Sequence, residues 1–477
     1  MQNQTALEKI QTVSFWPVLA AIAIGNFSAV LCSTTVTIAL PVFMEVFDSS
    51  IITVQWTMTG YLLAEGIVAP LIGFLADRLS LKRTYLMAMW GFLLTVSLCG
   101  FAWNVESLIV FRILQGCFGG MIMPLTMSMI YQVIPSERQA FALSIWSVSG
   151  GLAPALGPTV AGIVTDALGW QWVFFMNVPF VLIAILVANH YIPYYKLSAS
   201  DQSGQKFDYV GLASGMIGTY CLLFIFSKFS EWGLSGKSLA MLAVGLISIG
   251  IFIYNEFKLE SPLLYLKVLQ YPTFAWSMVI IVATSACMNM SIVVLPIYLQ
   301  DIMNYSTTMS ALLMLPGPLL VFFIVPLLGK FYDRIDPKVM LTALISIGFI
   351  AMFMLRQLTL TTTALFIIIA VIARDMGFAS ITMPATNVGM TVIPTEYTNH
   401  AAAVSSWIRQ CVISLWIGVI NTFLALRTQH YLAMADGDGM LYNESYVHAI
   451  KDMSGIGFVL VALALFAVSR LKTNKTC

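Results

Sequence analysis

Five ionisable side chains stand inside long apolar runs, where a charge is costly: Glu65, Arg112, Arg374, Asp375 and Arg409. The chemistry such a set can perform is proton transfer. Burial penalises the charged form of a carboxylate and a nearby arginine favours it, so an enclosed acid can gain and lose a proton as its surroundings alternate. Glu65 precedes Asp77 by twelve residues, a rise of about 18 Å on a helix, which sets it near the middle of a ~30 Å hydrocarbon layer if Asp77 marks the boundary. Tyr61 lies one turn away on the same face. Glu65 has no charged neighbour in sequence and is the first candidate for proton binding; a buried interhelical hydrogen bond to an arginine is the structural alternative.

Asp375 is the second acid. Its neighbour Arg374 projects about 100° away on a regular helix, so adjacency does not by itself make an ion pair, and structural and functional readings stand equal. Arg112 lies roughly 9 Å inside its apolar run, where a charged group should face protein or water; satisfaction by carbonyls is the structural reading. Arg409, in WIRQ, is available as counter-charge to either acid. Substrate-pocket candidates are Tyr61, Trp56, Cys32, Arg374 and Arg409; aromatic residues here also suit plain packing. Other chemistries find no support. His190, His400, His430 and His448 are scattered at span ends and loops, and six of the seven cysteines fall within spans without metal-ligand spacing. No G-x-x-x-x-G-K-[ST] loop is present. The expectation is a protein without cofactor, metal or enzymatic activity.

The elements that must hold these residues are membrane helices. Of 477 residues 59% are hydrophobic and 9% charged, and mean hydropathy is +0.88; a soluble domain carries about 25% charge. A net charge of +1 offers nothing to nucleic acid. Apolar runs long enough to span a bilayer occur near 16–41, 53–75, 84–103, 108–131, 141–165, 171–192, 209–228, 238–256, 274–299, 309–328, 339–357, 362–391, 402–425 and 455–470. These fourteen spans put both termini on one side. That side carries fifteen Lys and Arg residues in loops and ends against five opposite, so both termini are expected in the cytoplasm.

Two stretches repeat. GFLADRLSLKR after the second span recurs as GKFYDRIDPK after the tenth, and FRILQGCFGGMIMP leading to VIPSE recurs as ARDMGFASITMP leading to VIPTE. The spacing predicts two related six-helix bundles, 1–192 and 273–477, with an inserted helix pair in 193–272. Such repeats are common in secondary transporters, whose substrate sites lie near the midplane.

GFLADRLSLKR resembles the loop motif G-x-L-A-D-R-x-G-R-K-R of the major facilitator superfamily, through Gly73, Leu75, Ala76, Asp77, Arg78, Lys82 and Arg83. Ser80 stands in place of a glycine and Leu81 of a basic residue. The resemblance implies a latch between the halves that breaks during alternating access, with Asp333 and Arg334 in the second copy. RILQG resembles the motif R-x-x-Q-G, which implies that Arg112 is linked to proton handling. GGLAPALGPTVAG, centred on Gly157 and Pro158, resembles the fifth-helix motif of antiporters. QWTMTGYLL, WQWVFFMNVP, FDYVG, SPLLYLKVL, PIYLQDIMNYS and WIRQ narrow the resemblance to the fourteen-helix drug:H+ antiporters.

One departure matters. The first span reads LCSTTVTIALP where that family usually has L-D-x-T-I-V-N-V-A-L-P, so Cys32 replaces an aspartate and Thr37 an asparagine. A thiol is a poor acid near neutral pH, which shifts proton coupling to Glu65, with Asp375 and Arg112 behind it. The resemblance implies an all-α exporter of lipophilic small molecules in exchange for protons, of the multidrug-efflux and antibiotic-resistance kind, in a bacterial-type cytoplasmic membrane. A major facilitator carrier for a defined metabolite, lipid or amino acid is the alternative; a membrane-embedded sensor or enzyme is disfavoured, since no polar segment is long enough for an output domain.

Overall fold

Helix starts in this chain are written locally. Asn104 caps the helix Val105–Val133 by accepting from the Ser107 backbone N–H at 2.8 Å, and the Ser107 hydroxyl answers to the Asn104 N–H, a reciprocal arrangement that satisfies donors left open in a first turn. Asp336 caps Pro337–Arg356 through the Lys338 N–H at 2.8 Å, with proline at the first helical position, where its missing N–H costs nothing. A computed structural model describes residues 14–69, 71–193, 208–233, 235–259, 264–434 and 442–471. The polar stretch expected from 194, up to 207, lies outside them.

The described helices are α1 (Phe15–Val46), α2 (Trp56–Val68), α3 (Leu71–Leu79), α4 (Leu81–Gly100), α5 (Val105–Val133), α6 (Ser136–Leu168), α7 (Asn177–Tyr191), α8 (Tyr209–Trp232), α9 (Gly236–Lys258), α10 (Pro272–Ile297), α11 (Pro316–Phe331), α12 (Pro337–Arg356), α13 (Ala364–Arg374), α14 (Thr382–Met390), α15 (Thr398–Met434) and α16 (Tyr442–Arg470), with shorter turns between them. No strand occurs among the described residues. Ten helical stretches there are long and apolar enough to cross a membrane, and α2 with α3, bent by 58°, makes an eleventh. Their outer faces are apolar: in α9 only 17% of the spanning window is buried, and Leu246, Ile247 and Phe323 are exposed. Surfaces of this kind are stable against lipid and not against water.

Two units divide the chain. The first comprises Met1–Cys221, Ala243–Val268 and Ile393–Trp407; the second comprises Leu222–Leu242, Leu269–Val392 and Ile408–Cys477. In the first, α1 packs along α6 and α7, and α5 packs against α2 and α4. Polar side chains tie these spans where hydrocarbon offers no partners: Tyr85 donates to the Ala21 carbonyl at 3.0 Å, Asn26 to the Trp146 carbonyl at 3.1 Å, and Trp146 to Thr126 at 2.9 Å. In the second unit, α10 packs against α16 and α14, and α12 against α16 and α13.

Ser80 keeps the backbone that a glycine would have. Its φ of 91° and ψ of 149° lie in a region almost closed to residues with a Cβ. Its hydroxyl accepts from the Arg83 N–H and so caps α4, which offsets part of that cost. Glycine removes the strain and sacrifices only a few tenths of a kcal/mol as a cap. Ser80→Gly is therefore expected to stabilise the protein by about 1 kcal/mol, read as a higher thermal unfolding midpoint in detergent, whereas Ser80→Ala, which keeps the strain and loses the cap, lowers it.

Candidate functional site

Glycines in the interior of α5 set the geometry of the first unit. A Cβ at Gly116 would collide with the Tyr61 carbonyl, and one at Gly120 would lie 2.7 Å from the Glu65 carbonyl oxygen and 2.8 Å from its Cα. The backbones of α2 and α5 therefore touch, as small residues allow in membrane helices. That contact fixes the height of Tyr61 and Glu65 against Arg112.

Arg112 is fully buried and held by four neighbours. Its Nε–H donates to the Thr57 carbonyl at 2.9 Å, and Nη1 donates to Gln115 Oε1 at 2.7 Å and to Cys32 Sγ at 3.7 Å. Gln115 Nε2 donates to Cys32 Sγ at 3.1 Å, and the Cys99 thiol donates to Gln115 Oε1 at 3.7 Å. The guanidinium lies over the Tyr61 ring, 4.1 Å from its centroid, a favourable arrangement for a cation on an aromatic face. Cys32 and Tyr61, expected as pocket residues, thus sit in an enclosed polar cluster joining α1, α2, α4 and α5. Among the described residues, the groups hydrogen-bonded to Arg112 are a carbonyl, an amide and a thiol. Gln115 and Cys99 received no role from the sequence, although Gln115 is three residues from Arg112 on one helix face. Glu65 is half-buried one turn beyond Tyr61, and Trp56 is half-buried at the start of α2.

In the second unit Arg374 and Asp375 form the pair that adjacency alone left open. Nε and Nη2 of Arg374 donate to the two carboxylate oxygens of Asp375, both at 2.8 Å, and the side chains are 3% and 1% exposed. The long arginine side chain turns back onto its neighbour although both residues keep right-handed helical backbone angles. α13 ends at Arg374 and passes into a π-helical turn, Asp375–Ala379, an element frequent at functional sites. The Asp375 carboxylate rests against Gly317, where a Cβ would overlap it. Breaking such a buried pair by removing one partner costs about 3–5 kcal/mol. Arg409 is half-buried on α15.

Asp77, at the end of α3, faces the first turn of α15. Its Oδ1 accepts from Asn399 Nδ2 at 2.8 Å, and its Oδ2 lies 2.8 Å from His400 Nε2. The Tyr265 backbone N–H donates to His400 Nδ1 at 3.2 Å, which assigns the ring proton to Nε2 and makes His400 a donor to Asp77. Asn399 Oδ1 accepts from Gln132 Nε2 at 2.7 Å. A carboxylate at a helix start is also favoured by the helix dipole. Gly73 lies beneath the imidazole: a Cβ there would stand 2.6 Å from Nδ1. The partners of Asp77 are thus two side chains in the first turn of α15. Arg78 is exposed over the Phe74 ring at 5.7 Å. Asn399 and His400 went unassigned in the sequence, where His400 reads as one of four scattered histidines.

The other motif residues are placed as follows. Arg83 is exposed beyond the Ser80 turn, and Asp333 and Arg334 are exposed after α11, with Arg334 over the Phe331 ring at 5.9 Å. Gly157 meets Thr34 of α1, where a Cβ would lie 2.5 Å from Oγ1. Pro158 lies within α6 and its side chain is outside the described set. Among the described residues no cluster of His, Cys, Asp and Glu fits a metal ion.

Comparison with known proteins is consistent across the chain. Residues 22–417 match the family model described as Major Facilitator Superfamily. Over 440 residues the chain is 26% identical to the lincomycin resistance protein LmrB of Listeria innocua, covering 92% of each chain. Over 396 residues it is 26% identical to the multidrug export protein EmrB of Haemophilus influenzae, covering 82% of this chain and 76% of that one. Among solved structures, the human organic anion transporter MFSD10 shares the fold with a TM-score of 0.62 at 11% identity, covering 94% of this chain and 99% of that one.

The contact between position 73 and His400 can be measured. Gly73→Ala is expected to destabilise the purified protein by about 1–3 kcal/mol through overpacking. His400→Ala removes the obstacle, so the double variant should recover part of that loss, with a coupling of about 1 kcal/mol in a double-mutant cycle on thermal unfolding; additive losses would mean the two positions do not touch.

Proposed function

The chain belongs to the Major Facilitator Superfamily, and from that premise we propose that it exports drugs or other lipophilic compounds in exchange for protons, by alternating access. The proposal includes fourteen spans, six-helix bundles at 1–192 and 273–477 with an inserted pair in 193–272, and cytoplasmic termini in a bacterial-type cytoplasmic membrane. Export is supported by the relatives named for lincomycin resistance and multidrug export. The observation that carries the coupling mechanism is the half-buried Glu65 carboxylate on α2, one turn from a Tyr61 ring that is stacked on Arg112.

In this reading Glu65 takes a proton from outside and releases it inside, in competition with substrate. Its protonation alters the charge beside Tyr61 and, through that ring, the cluster of Arg112, Gln115 and Cys32 that binds α1 to α2 and α5. The cation is fixed because guanidinium does not lose its proton in proteins, so the mobile charge belongs to the acid. Trp56 and Arg409 contribute to the substrate path. Arg374 and Asp375 neutralise each other within one turn, so a part for Asp375 in coupling requires that pair to open. Asp77 with His400 and Asn399 acts as a conformational latch on the cytoplasmic side, and Gly157 with Pro158 as the seal in the fifth span.

The test is Glu65→Gln in everted membrane vesicles loaded by a pH gradient, with ethidium as probe. The amide is isosteric and cannot titrate, so ΔpH-driven ethidium uptake should fall by about tenfold or more, equivalent to at least ~1.4 kcal/mol, while the amount of folded protein in the membrane stays constant. Uptake that still follows the pH gradient would remove Glu65 from the coupling mechanism.

A further inference from the structure

His400 has a defined proton arrangement, and only one protonation state permits it. Nδ1 accepts the Tyr265 N–H at 3.2 Å while Nε2 faces Asp77 Oδ2 at 2.8 Å. A neutral imidazole with its proton on Nε2 satisfies both contacts at once. An imidazolium has a donor on each nitrogen, so Nδ1–H would confront the Tyr265 N–H, and that contact must break. The contact to Asp77 changes in the opposite sense, from a hydrogen bond between a neutral donor and a carboxylate to an ion pair, which adds the attraction of opposite charges. Protonation therefore moves the ring from a bridge between two elements to an ion pair with one.

The surroundings permit this exchange. The imidazole lies on Gly73 with no side chain beneath it. Among the described residues, the titratable and charged groups on the elements around it are Asp77 on α3, with Arg78 next in sequence and exposed; Tyr397 and Glu396 on the turn before α15; Tyr265 with Lys267 on the segment after α9; and Glu256 of α9, which accepts from the Leu264 N–H beside Tyr265 at 3.1 Å. Tyr265 and Tyr397 stack at 4.5 Å, and Lys267 Nζ lies 5.8 Å from the Tyr265 ring. Asp77 and Glu396 both line the small cleft beside Asn399 and Gln132. Asp77 is the carboxylate in hydrogen-bonding contact with the ring, so it is the group that gains when His400 becomes charged. Histidine is the side chain whose ordinary titration falls in the physiological range.

We propose that His400 is a positioning residue that makes the Asp77 latch respond to cytoplasmic pH: neutral, it ties Asp77 to the backbone of Tyr265; protonated, it releases Tyr265 and grips Asp77 as an ion pair, slowing the release of Asp77 during transport. The proposal rests on the reading of Asp77 as a cytoplasmic latch in an exporter. Its consequence is a brake. A proton-driven exporter imports a proton with each cycle, and this device slows the cycle when the cytoplasm is already acid.

The variant that isolates the effect is His400→Gln, because a glutamine amide can accept from Tyr265 and donate to Asp77 without titrating. In proteoliposomes at equal pH on both sides, ethidium exchange is measured at pH 7.5 and 5.5. Lowering the pH should slow the wild type more than the variant, with the ratio of the two rates about tenfold larger in the wild type, the scale expected when a hydrogen bond to a carboxylate becomes an ion pair. Equal ratios overturn the proposal. A second measurement does not depend on transport or on the variant's folding. In ¹⁵N-histidine spectra of the full chain, where four histidines contribute, one ring should show an unprotonated, hydrogen-bonded Nδ1 at pH 7.5 and two protonated nitrogens at pH 5.5. The Tyr265 amide should lose protection from hydrogen exchange over the same interval. A ring that stays in one state, or an amide equally protected at both pH values, overturns the proposal. Absence of ethidium exchange at either pH would instead count against the exporter reading, leaving the spectra to decide the role of His400.

Discussion

Direct backbone contact between α2 and α5 is the constraint on which the rest of the first unit depends. Gly116 and Gly120 present no side chain to α2, so the Tyr61 and Glu65 backbones come up against α5 itself. Three glycines in five residues, Gly116, Gly119 and Gly120, weaken a helix when it stands alone, by roughly 0.5–1 kcal/mol each. In lipid, where side-chain burial gives little drive for association, tight packing and interhelical hydrogen bonds offset that loss. The approach brings the Tyr61 ring over Arg112 and the Thr57 carbonyl to its Nε–H, so a guanidinium that would be costly in hydrocarbon is enclosed by neutral dipoles and an aromatic face.

Much of this organisation was legible in the residues. Long apolar runs separated by short charged gaps announce membrane helices, and the repeated loops reveal their purpose once the helices following them are placed. Ser80 caps α4 and Asp336 caps α12, so corresponding positions of the two repeats start a helix with different side chains. Buried charge was legible too, because Arg112, Arg374 and Asp375 interrupt apolar sequence; Glu65 does so as well and is half-buried. Their partners were not. Cys99 reaches Gln115 across two helices, a contact without any sequence period. The Arg374–Asp375 pair forms through the reach of the arginine side chain, which a helical period places about 100° from its neighbour and so cannot anticipate.

The histidine at 400 shows a different limit. It reads as one of four scattered histidines because its partners are remote: Asp77 lies 323 residues away and Tyr265 135 residues away. The motif after the second span draws attention to Asp77, while the group that binds it follows VIPTE, in a stretch that a motif search treats as a second copy of something else. Gly73 is intelligible only after both are seen together, since the space it leaves is filled by the imidazole of a distant helix. A motif can thus state that a small residue is needed without stating what approaches it.

The two buried arginines differ in how many moving parts hold them. Arg374 and Asp375 are consecutive and ride on one turn, so any rigid displacement of that turn carries the complete ion pair with it and leaves its electrostatics unchanged. Arg112 takes Thr57 from α2, Cys32 from α1 and Gln115 from its own helix. A slide of one of these helices past another opens a hydrogen bond to a buried cation. One charge is thereby cargo, indifferent to where its helix travels, while the other acts as a strain gauge on the relative positions of three helices.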